Sequence, residues 1–545
     1  MKALTSVVAL LAGLSSVQAS PTPRNNGGSS SHKTWLDSAG LSANNKQLFA
    51  YSMDILDNNF GLPLLWGTAK LSSWYAVGLL ARQGTGDVAL ANKVIANLLT
   101  QQYTNTSFVG ELTPDPNNAL FVTIAGIIID SQFGDLIDPT VRSNLRKAMY
   151  MATVGDGYRV GGVNDDNLRP CYTNPWVMRL AASAYVGHIS NDANMTYWAE
   201  EWAQEFVDLF DEYDTISEYN GGTYAGVSLF ALSLAQYVPT NTTLFKEAPR
   251  IIKSIWDQTA ETYNPTLNTL SGPWDRTYGF DLTQYYGILG SAITGVIGMD
   301  GTYPMPKPLD GSVHYTDMAM IPMQMVTAPY AEAQLSSASK AKITTFSGDH
   351  EFSVQAISPP FDARPRNYTY WVADGLSAGG VEFDENTVGG PSINQPSFSP
   401  GVILWDAGKT AAGSGFISHY PTNPSVSIVA SSTNLTIRYP PTQDFPNGTV
   451  SNQLQLSVSP LPGPQLGADA FASGTQSLPG LDVTLSGNVV ENANRSFTFT
   501  GAQINDFYYY NLTYTWDAAW GAANVPELVV AFTKTTPPTY DLILQ

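Results

Sequence analysis

One cysteine in 545 residues, Cys171, leaves the chain no partner for an intramolecular disulfide. The fold must be held by buried apolar surface, which a chain of this length can supply. Basic residues are also scarce. Lys and Arg total 26 against 46 Asp and Glu, with 5 His, for a formal net charge of −20. That balance excludes a nucleic-acid binder, whose affinity rests on basic footprints. It weighs against a densely anionic polymer as well, unless a local basic pocket overrides the global charge. Apolar runs long enough to span a bilayer are missing: the run near the start and LFVTIAGIIID at 120–130 both fall short of about 18 residues. There is no His-x-x-x-His or Cys pair for a transition metal, no glycine-rich phosphate loop, and no Gly-x-Ser-x-Gly elbow. No cofactor is expected. The NDDN run at 164–167, with Asp165 and Asp166, offers oxygens that suit calcium but reads equally as a solvated loop.

What is present begins with an address. Lys2, a short apolar run and Val17-Gln18-Ala19 read as a secretory signal over residues 1–19, followed by a Gly/Ser-rich lead-in over 20–34. Eight Asn-x-Ser/Thr acceptors, at Asn105, Asn194, Asn241, Asn367, Asn434, Asn447, Asn494 and Asn511, fit a secreted, extracellular glycoprotein. In that setting Cys171 reads as a small buried hydrophobe rather than a nucleophile, since no activating partner is in view. No oligomeric state follows from the sequence.

Two grammars then divide the chain. From about 35 to 340 apolar residues recur at three- and four-residue spacing, as in DVALANKVIANLLTQQY, MTYWAEEWAQEFVDLFDEY and FKEAPRIIKSIWDQTAETY. Roughly ten to twelve such segments, joined by Gly/Pro/Asn-rich turns and without an exact repeat, predict a ring of helical hairpins. From 341 to 545 the segments alternate apolar and polar residues or are β-branched runs, as in VSIVASSTNLTIRYP and ELVVAFTK. With no helices between them, they predict an antiparallel β-sandwich. The expected fold is an α+β multidomain chain: an N-terminal (α/α) toroid as the expected catalytic half, then a C-terminal β-sandwich.

That order resembles the polysaccharide lyases of the chondroitin, hyaluronate and heparinase type, which join an incomplete (α/α) toroid to β-sandwich domains. The resemblance is architectural: the Asn-His-Tyr-Arg set of those lyases has no position-by-position match here. EYNGGTYAGVSLFALSL followed by GPWDRTYGFDLTQYYGILG is also similar to a sequence family of secreted toroid proteins. The resemblance implies a polysaccharide or oligosaccharide substrate and glycosidic-bond cleavage.

In a helical ring the cleft is lined by turns at one mouth, so the candidates are polar, aromatic turns about one hairpin apart. The stretch at 161–179 offers Asn164, Asn167, Arg169, Tyr172 and Asn174; SEYNGGTYAG at 217–226 offers Glu218, Tyr219, Asn220 and Tyr224. The stretch at 272–286 offers Trp274, Asp275, Arg276, Tyr278, Asp281, Tyr285 and Tyr286, and a later turn adds His314 and Asp317. Trp66 and Trp74 are possible stacking platforms. Glycines beside Glu218 would let the backbone approach a sugar closely. Blander readings stand alongside: Asp281 sits where a helix cap belongs, and Asp275-Arg276 suits a structural ion pair.

Two chemistries fit these residues. β-Elimination needs a donor such as Asn220, Asn167 or Arg276 to neutralise a uronate, and a base such as Tyr224, Tyr278 or His314. Hydrolysis needs two carboxyl groups, Glu218 with Asp275 or Asp281. The lyase is favoured by domain order, the hydrolase by the scarcity of cationic residues. A non-catalytic glycan-binding protein is the third possibility.

Overall fold

The computed structural model describes residues 34–59, 69–104, 109–113, 115–157, 168–276, 278–279, 281–301, 303–306, 314–385, 398–408, 414–420, 423, 425–440, 451–460, 466–502 and 508–538. Outside them lie the expected signal and the candidates Trp66, Asn105, Asn164, Asn167 and Asn447, with the NDDN run. Among the described residues no helix is long and apolar enough to cross a membrane.

The helical half comprises α1 (Trp35–Ser38), α2 (Ala43–Asn59), α3 (Ala69–Arg82), α4 (Asp87–Leu99), α5 (Pro116–Phe133), α6 (Pro139–Gly157) and α7 (Thr173–Ser190). It continues with α8 (Ala193–Asp211), α9 (Tyr224–Ser233), α10 (Thr243–Thr262), α11 (Ile288–Ile297), α12 (Ile321–Glu332) and α13 (Ser337–Thr344). Packing runs from α3 to α5, α7, α9 and α12 and back to α3, which closes a ring. The inner helices are buried on nearly every side, with a few paired polar groups such as Asp130 and Arg179 among apolar and small residues. In α9, YAGVSLFALS, every residue after Tyr224 is buried, and in α7 the run Thr173–Gly187 is buried throughout. The outer helices α4, α6, α8 and α10 carry one apolar stripe and a charged outer face, as a helix with one wet side must. Alternation of largely apolar and amphipathic helices along the chain is thus what sorts them into two layers.

After α10 a short hairpin pairs β1 (Tyr263–Asn264) with β2 (Thr269–Leu270). The C-terminal half is built on a wholly antiparallel sheet of 13 strands among the described residues, β3 (His350–Ala356) to β15 (Glu527–Lys534). It branches at β5 (Leu376–Asp384). Residues 376–380 of β5 pair with β6 (Gly401–Trp405), whereas 382–384 pair with β8 (Ser425–Ala430). One wing then runs through β6, β7 (Gly415–Tyr420), β10 (Gln453–Ser459), β14 (Tyr508–Thr515) and β13 (Asn494–Ala502). The other runs through β8, β9 (Asn434–Arg438), β15, β12 (Leu481–Ser486) and β11 (Thr475–Leu478). Ile403, Ile417, Leu456 and Leu512 of the first wing share one core with Ile428, Leu435, Val483 and Val530 of the second. The sandwich is therefore a single sheet curled on itself, its inner faces apolar; outlying strands such as β9 and β15 are wet outside, whereas β5, β6 and β7 are buried on both faces. Helix α13 ends at Thr344 and β3 starts at His350.

The two halves meet along the turns that carry the candidate residues. Tyr219, from the turn before α9, belongs to the core of the β half, where its ring meets Tyr368 of β4 (Arg366–Ala373) edge-on at 4.7 Å. Trp274 bridges backbone to backbone with Ser399 and packs on Val402, Leu404 and Phe416.

Candidate active site

The mouth of the ring is assembled from helix starts. Asp115 caps α5 by accepting from the N–H groups of Asn117 and Asn118, which holds Asn117 at the rim. Asn117 Nδ2 donates to the Tyr172 hydroxyl at 3.3 Å, just before α7. The start of α7 has no cap from its own flanking side chain. Glu218 supplies one from the next turn: Oε2 accepts from Asn174 N at 2.7 Å and from Asn174 Nδ2 at 2.8 Å. A helix N-terminus favours an anion. Burial opposes it, and Glu218 is only 7% exposed. Burial wins: the carboxyl is raised to about 7, against the pull of Asn174 and the Arg276 charge.

Beside this carboxyl stands Arg276, its guanidinium 5.2 Å from the centre of the Tyr224 ring. Arg276 has no ion pair or hydrogen bond among the described residues, and the titratable groups it faces are Tyr224, Tyr278, Glu218 and Tyr172. Tyr224 and Tyr278 join hydroxyl to hydroxyl at 2.7 Å. Burial holds the Tyr224 phenol well above its ordinary pKa, with Tyr278 adding and Arg276 opposing. The Tyr278 ring lies 3.9 Å from the His314 ring, centre to centre. His314 precedes the short helix Tyr315–Met320 with φ 59°, and its Nδ1 is 2.9 Å from Asp317 Oδ2. Burial raises the Asp317 carboxyl, but His314 and Lys70 outweigh it and hold Asp317 below the usual range. An ionised Asp317 accepts, so Nδ1 carries a proton and Nε2 is the ring atom left to face the mouth chemistry. Lys70 of α3 completes the row, 3.3 Å from Asp317 Oδ1 and above the rings of Trp74 and Phe121.

Six elements thus converge on one row of polar groups: Glu218, Arg276, Tyr224, Tyr278, His314 and Asp317, with Tyr172, Asn117 and Lys70 along its sides. Several sequence candidates are placed elsewhere. Asp275 points away, its Oδ1 accepting from Arg366 Nη1 at 2.9 Å. Arg366, on β4, is 0% exposed and fully committed. Its other partners are Asp362 Oδ2 at 2.9 Å, the Tyr368 hydroxyl at 2.9 Å, Ser358 Oγ at 2.7 Å and Ser217 O at 2.8 Å. Burial raises the carboxyl of Asp275 and Arg366 opposes it. Asp281 is neither a free carboxylate nor a helix cap. Its Oδ1 accepts from Thr283 N and Oγ1 at 2.7 Å each, an Asx-type turn, and Oδ2 accepts from Ser414 N of the β half at 2.7 Å.

Asn220 is a clamp rather than a sugar ligand. At φ 53° its Nδ2 donates to Ser271 O and Pro273 O at 2.8 Å each, and to the Tyr370 hydroxyl at 3.2 Å. Trp74, Trp274, Tyr219, Tyr285 and Tyr286 are buried and offer no open face to a sugar ring. Arg169 is exposed at the rim. The turn's glycines serve packing. A Cβ on Gly222 would lie 2.3 Å from the Tyr285 hydroxyl, and one on Gly226 would lie 2.2 Å from Leu289 N. Cys171 donates to Pro359 O at 3.2 Å, and burial, with Glu218 nearby, pushes its thiol up to about 12, so it is inert. Among the described residues no group of three or more His, Cys, Asp or Glu could hold a metal ion. Lys70, Asn117 and Arg366 escaped the sequence reading, since each sits in a helix start or strand that looks ordinary by composition.

A family model described as Domain of unknown function (DUF8769) matches residues 46–110 and 112–329, and one described as Domain of unknown function (DUF8770) matches 348–533. Comparison with curated proteins gave no match. Among solved structures, "Crystal Structure of Heparinase III" is similar over 92% of this chain and 86% of that chain, at 8% identity and TM-score 0.41. A second structure, titled as a heparinase III gene product, is similar over 92% and 85%, at 6% identity and TM-score 0.36. At such scores no residue role passes from those proteins to this one.

Proposed function

We propose, for a chain that belongs to the family described as Domain of unknown function (DUF8769), that it cleaves a uronate-containing polysaccharide by β-elimination at the mouth of the ring. One observation carries the reading: the guanidinium of Arg276, in direct contact with no carboxylate among the described residues, stands beside two joined phenols and a carboxylate-held imidazole. A buried cation is costly unless something pairs with it. The planar fork of an arginine suits a carboxylate in two-pronged fashion. A uronate bound there has its negative charge neutralised, which acidifies the neighbouring C–H.

His314 Nε2 then takes that proton, with Asp317 holding the ring and stabilising the imidazolium. The C–H electron pair becomes the new C=C bond as the glycosidic C–O bond breaks. The departing oxygen takes a proton from the Tyr224–Tyr278 pair, whose Tyr224 phenol burial keeps protonated. Transfer from His314 back through Tyr278, which lies against it, restores the starting state. Glu218 holds the start of α7 and balances the Arg276 charge.

A second reading, hydrolysis, is favoured by the Glu218 carboxyl raised to about 7, as a general acid requires. It lacks a second free carboxylate, since Asp275 and Asp281 are spent on Arg366 and Ser414, and Asp317 on His314 and Lys70. The test is to incubate purified protein with neutral and uronate-containing polysaccharides, following reducing ends and the ultraviolet absorbance of unsaturated uronate together. Both signals support elimination. Reducing ends alone select hydrolysis. Neither signal on any substrate removes the enzyme and leaves a glycan-binding protein.

A further inference from the structure

We propose that Asn194 carries an N-linked glycan whose first sugars lie over an aromatic face made by Tyr197 and Trp198 of the same helix. Asn194, Met195 and Thr196 form an acceptor triplet in the first turn of α8. Asp192 Oδ1 accepts from the N–H groups of Asn194 and Met195 at 3.0 Å each, so the triplet sits on a well-capped turn. The Asn194 carboxamide is exposed and has no hydrogen bond among the described residues. The acceptor asparagines of the β strands β4, β9 and β14 are engaged, Asn434 by Thr433 and Thr436. Asn367 Oδ1 accepts from Gln355 Nε2 at 2.6 Å, while Asn511 bridges Gln455 and Thr500 at 3.1 and 2.8 Å.

Tyr197 and Trp198 follow Asn194 by three and four residues, the spacing that shares one helix face. Helical side chains lean toward the N-terminus, which sets both rings on the side of the turn that carries Asn194. They are 55% and 43% exposed, and among the described residues Phe499 is the one other exposed aromatic ring. The rings are braced from behind. Tyr197 meets Trp198 edge-on at 5.4 Å, and Trp198 stacks on Trp202 at 5.8 Å and 29°. Trp202 in turn backs onto the Arg179 guanidinium at 4.9 Å, itself bonded to Asp156 at 2.6 Å. Apolar faces held in water invite a cover, and the C–H face of a sugar linked one helical turn away supplies it without the entropy cost of a second molecule.

The modification needs a polyprenyl-diphosphate-linked oligosaccharide, the donor of the secretory compartment. The anomeric carbon leaves the diphosphate oxygen and bonds to Asn194 Nδ2, and the amide proton leaves with the diphosphate. The test is oxidative footprinting of the full chain secreted from a eukaryotic host, read residue by residue in peptide mass spectra. It is done before and after native enzymatic removal of N-glycans, and on Asn194→Gln and Asn241→Gln. The expected result is glycan mass on the Asn194 peptide and several-fold faster oxidation of Trp198 after glycan removal and in Asn194→Gln, but not in Asn241→Gln. A bare Asn194 overturns the proposal, as does Trp198 oxidation that is equal with and without the glycan. Removing the glycan from folded wild-type protein decides the matter even if the variant misfolds.

Discussion

Arg276 and Arg366 both act on Asp275, one from the helical half and one from the β half, and they are used in opposite ways. Arg366 has no exposure to water and gives its donors to two carboxylates, a phenol, a serine hydroxyl and a backbone carbonyl. Arg276 gives none among the described residues. A buried cation with every donor matched is architecture: here it ties β4 to Ser217 and Asp275, the neighbours of Glu218 and Arg276. A cation left open in a wall of phenols is a stored attraction for an anion that arrives later. The β half therefore does more than support the ring from a distance. It grips from behind the two turns that carry the open groups.

The comparison breaks most visibly at Arg366. Arg366→Met strands Asp275 and Asp362 as buried carboxylates and should cost about 3–5 kcal/mol, read from chemical denaturation. Arg276→Met should cost little of that stability, because Arg276 makes no ion pair or hydrogen bond among the described residues and meets Glu218 and Asp275 only through space. Its cost falls on turnover, about 10²–10³ in kcat on a uronate substrate. Equal destabilisation by the two variants would make Arg276 another structural cation and remove the ground for the proposed chemistry.

The same contrast explains what was legible in the residue order. Periodicity of 3.6 against 2 separates the halves because each element buries at least one side. The branching of β5 was not legible, since nothing in LSAGGVEFD says its two ends pair with different strands. Turns rich in acid and phenol pointed to the mouth, and Glu218, Tyr224, Arg276, Tyr278 and His314 do come together there. But composition does not say which way a side chain turns. Tyr219 and Trp274, adjacent to those residues, face into the β half instead. Arg366 was illegible because its partners come from four separate stretches of chain.

Glu218 sharpens the comparison through pH. Its folded-state value, about 7, lies above the free value of 4.5, so the folded protein holds a proton that the unfolded chain has released. Stability is therefore lost as pH rises from 4.5 through about 7. Glu218→Gln keeps an oxygen for Asn174 and has no proton to lose. Its thermal midpoint should gain on wild type across that window, whereas buried Asp275 and Asp362 affect both proteins alike. A constant difference between the two melting curves would mean that the carboxyl titrates normally.

The smallest expected effect is at Asp281, which lies on the same loop as Arg276 but belongs with Arg366 in kind. In Asp281→Asn one carboxylate oxygen becomes an amide, so either Thr283 or Ser414 N–H loses its acceptor. The cost should be about 1–2 kcal/mol in stability, with kcat near wild type at a temperature where the variant is folded. Loss of turnover in a folded Asp281→Asn protein would transfer that residue from the seam to the mouth. It would also restore the two-carboxylate hydrolase, because Glu218 would then have the ionised partner that the Ser414 and Thr283 bonds now deny it.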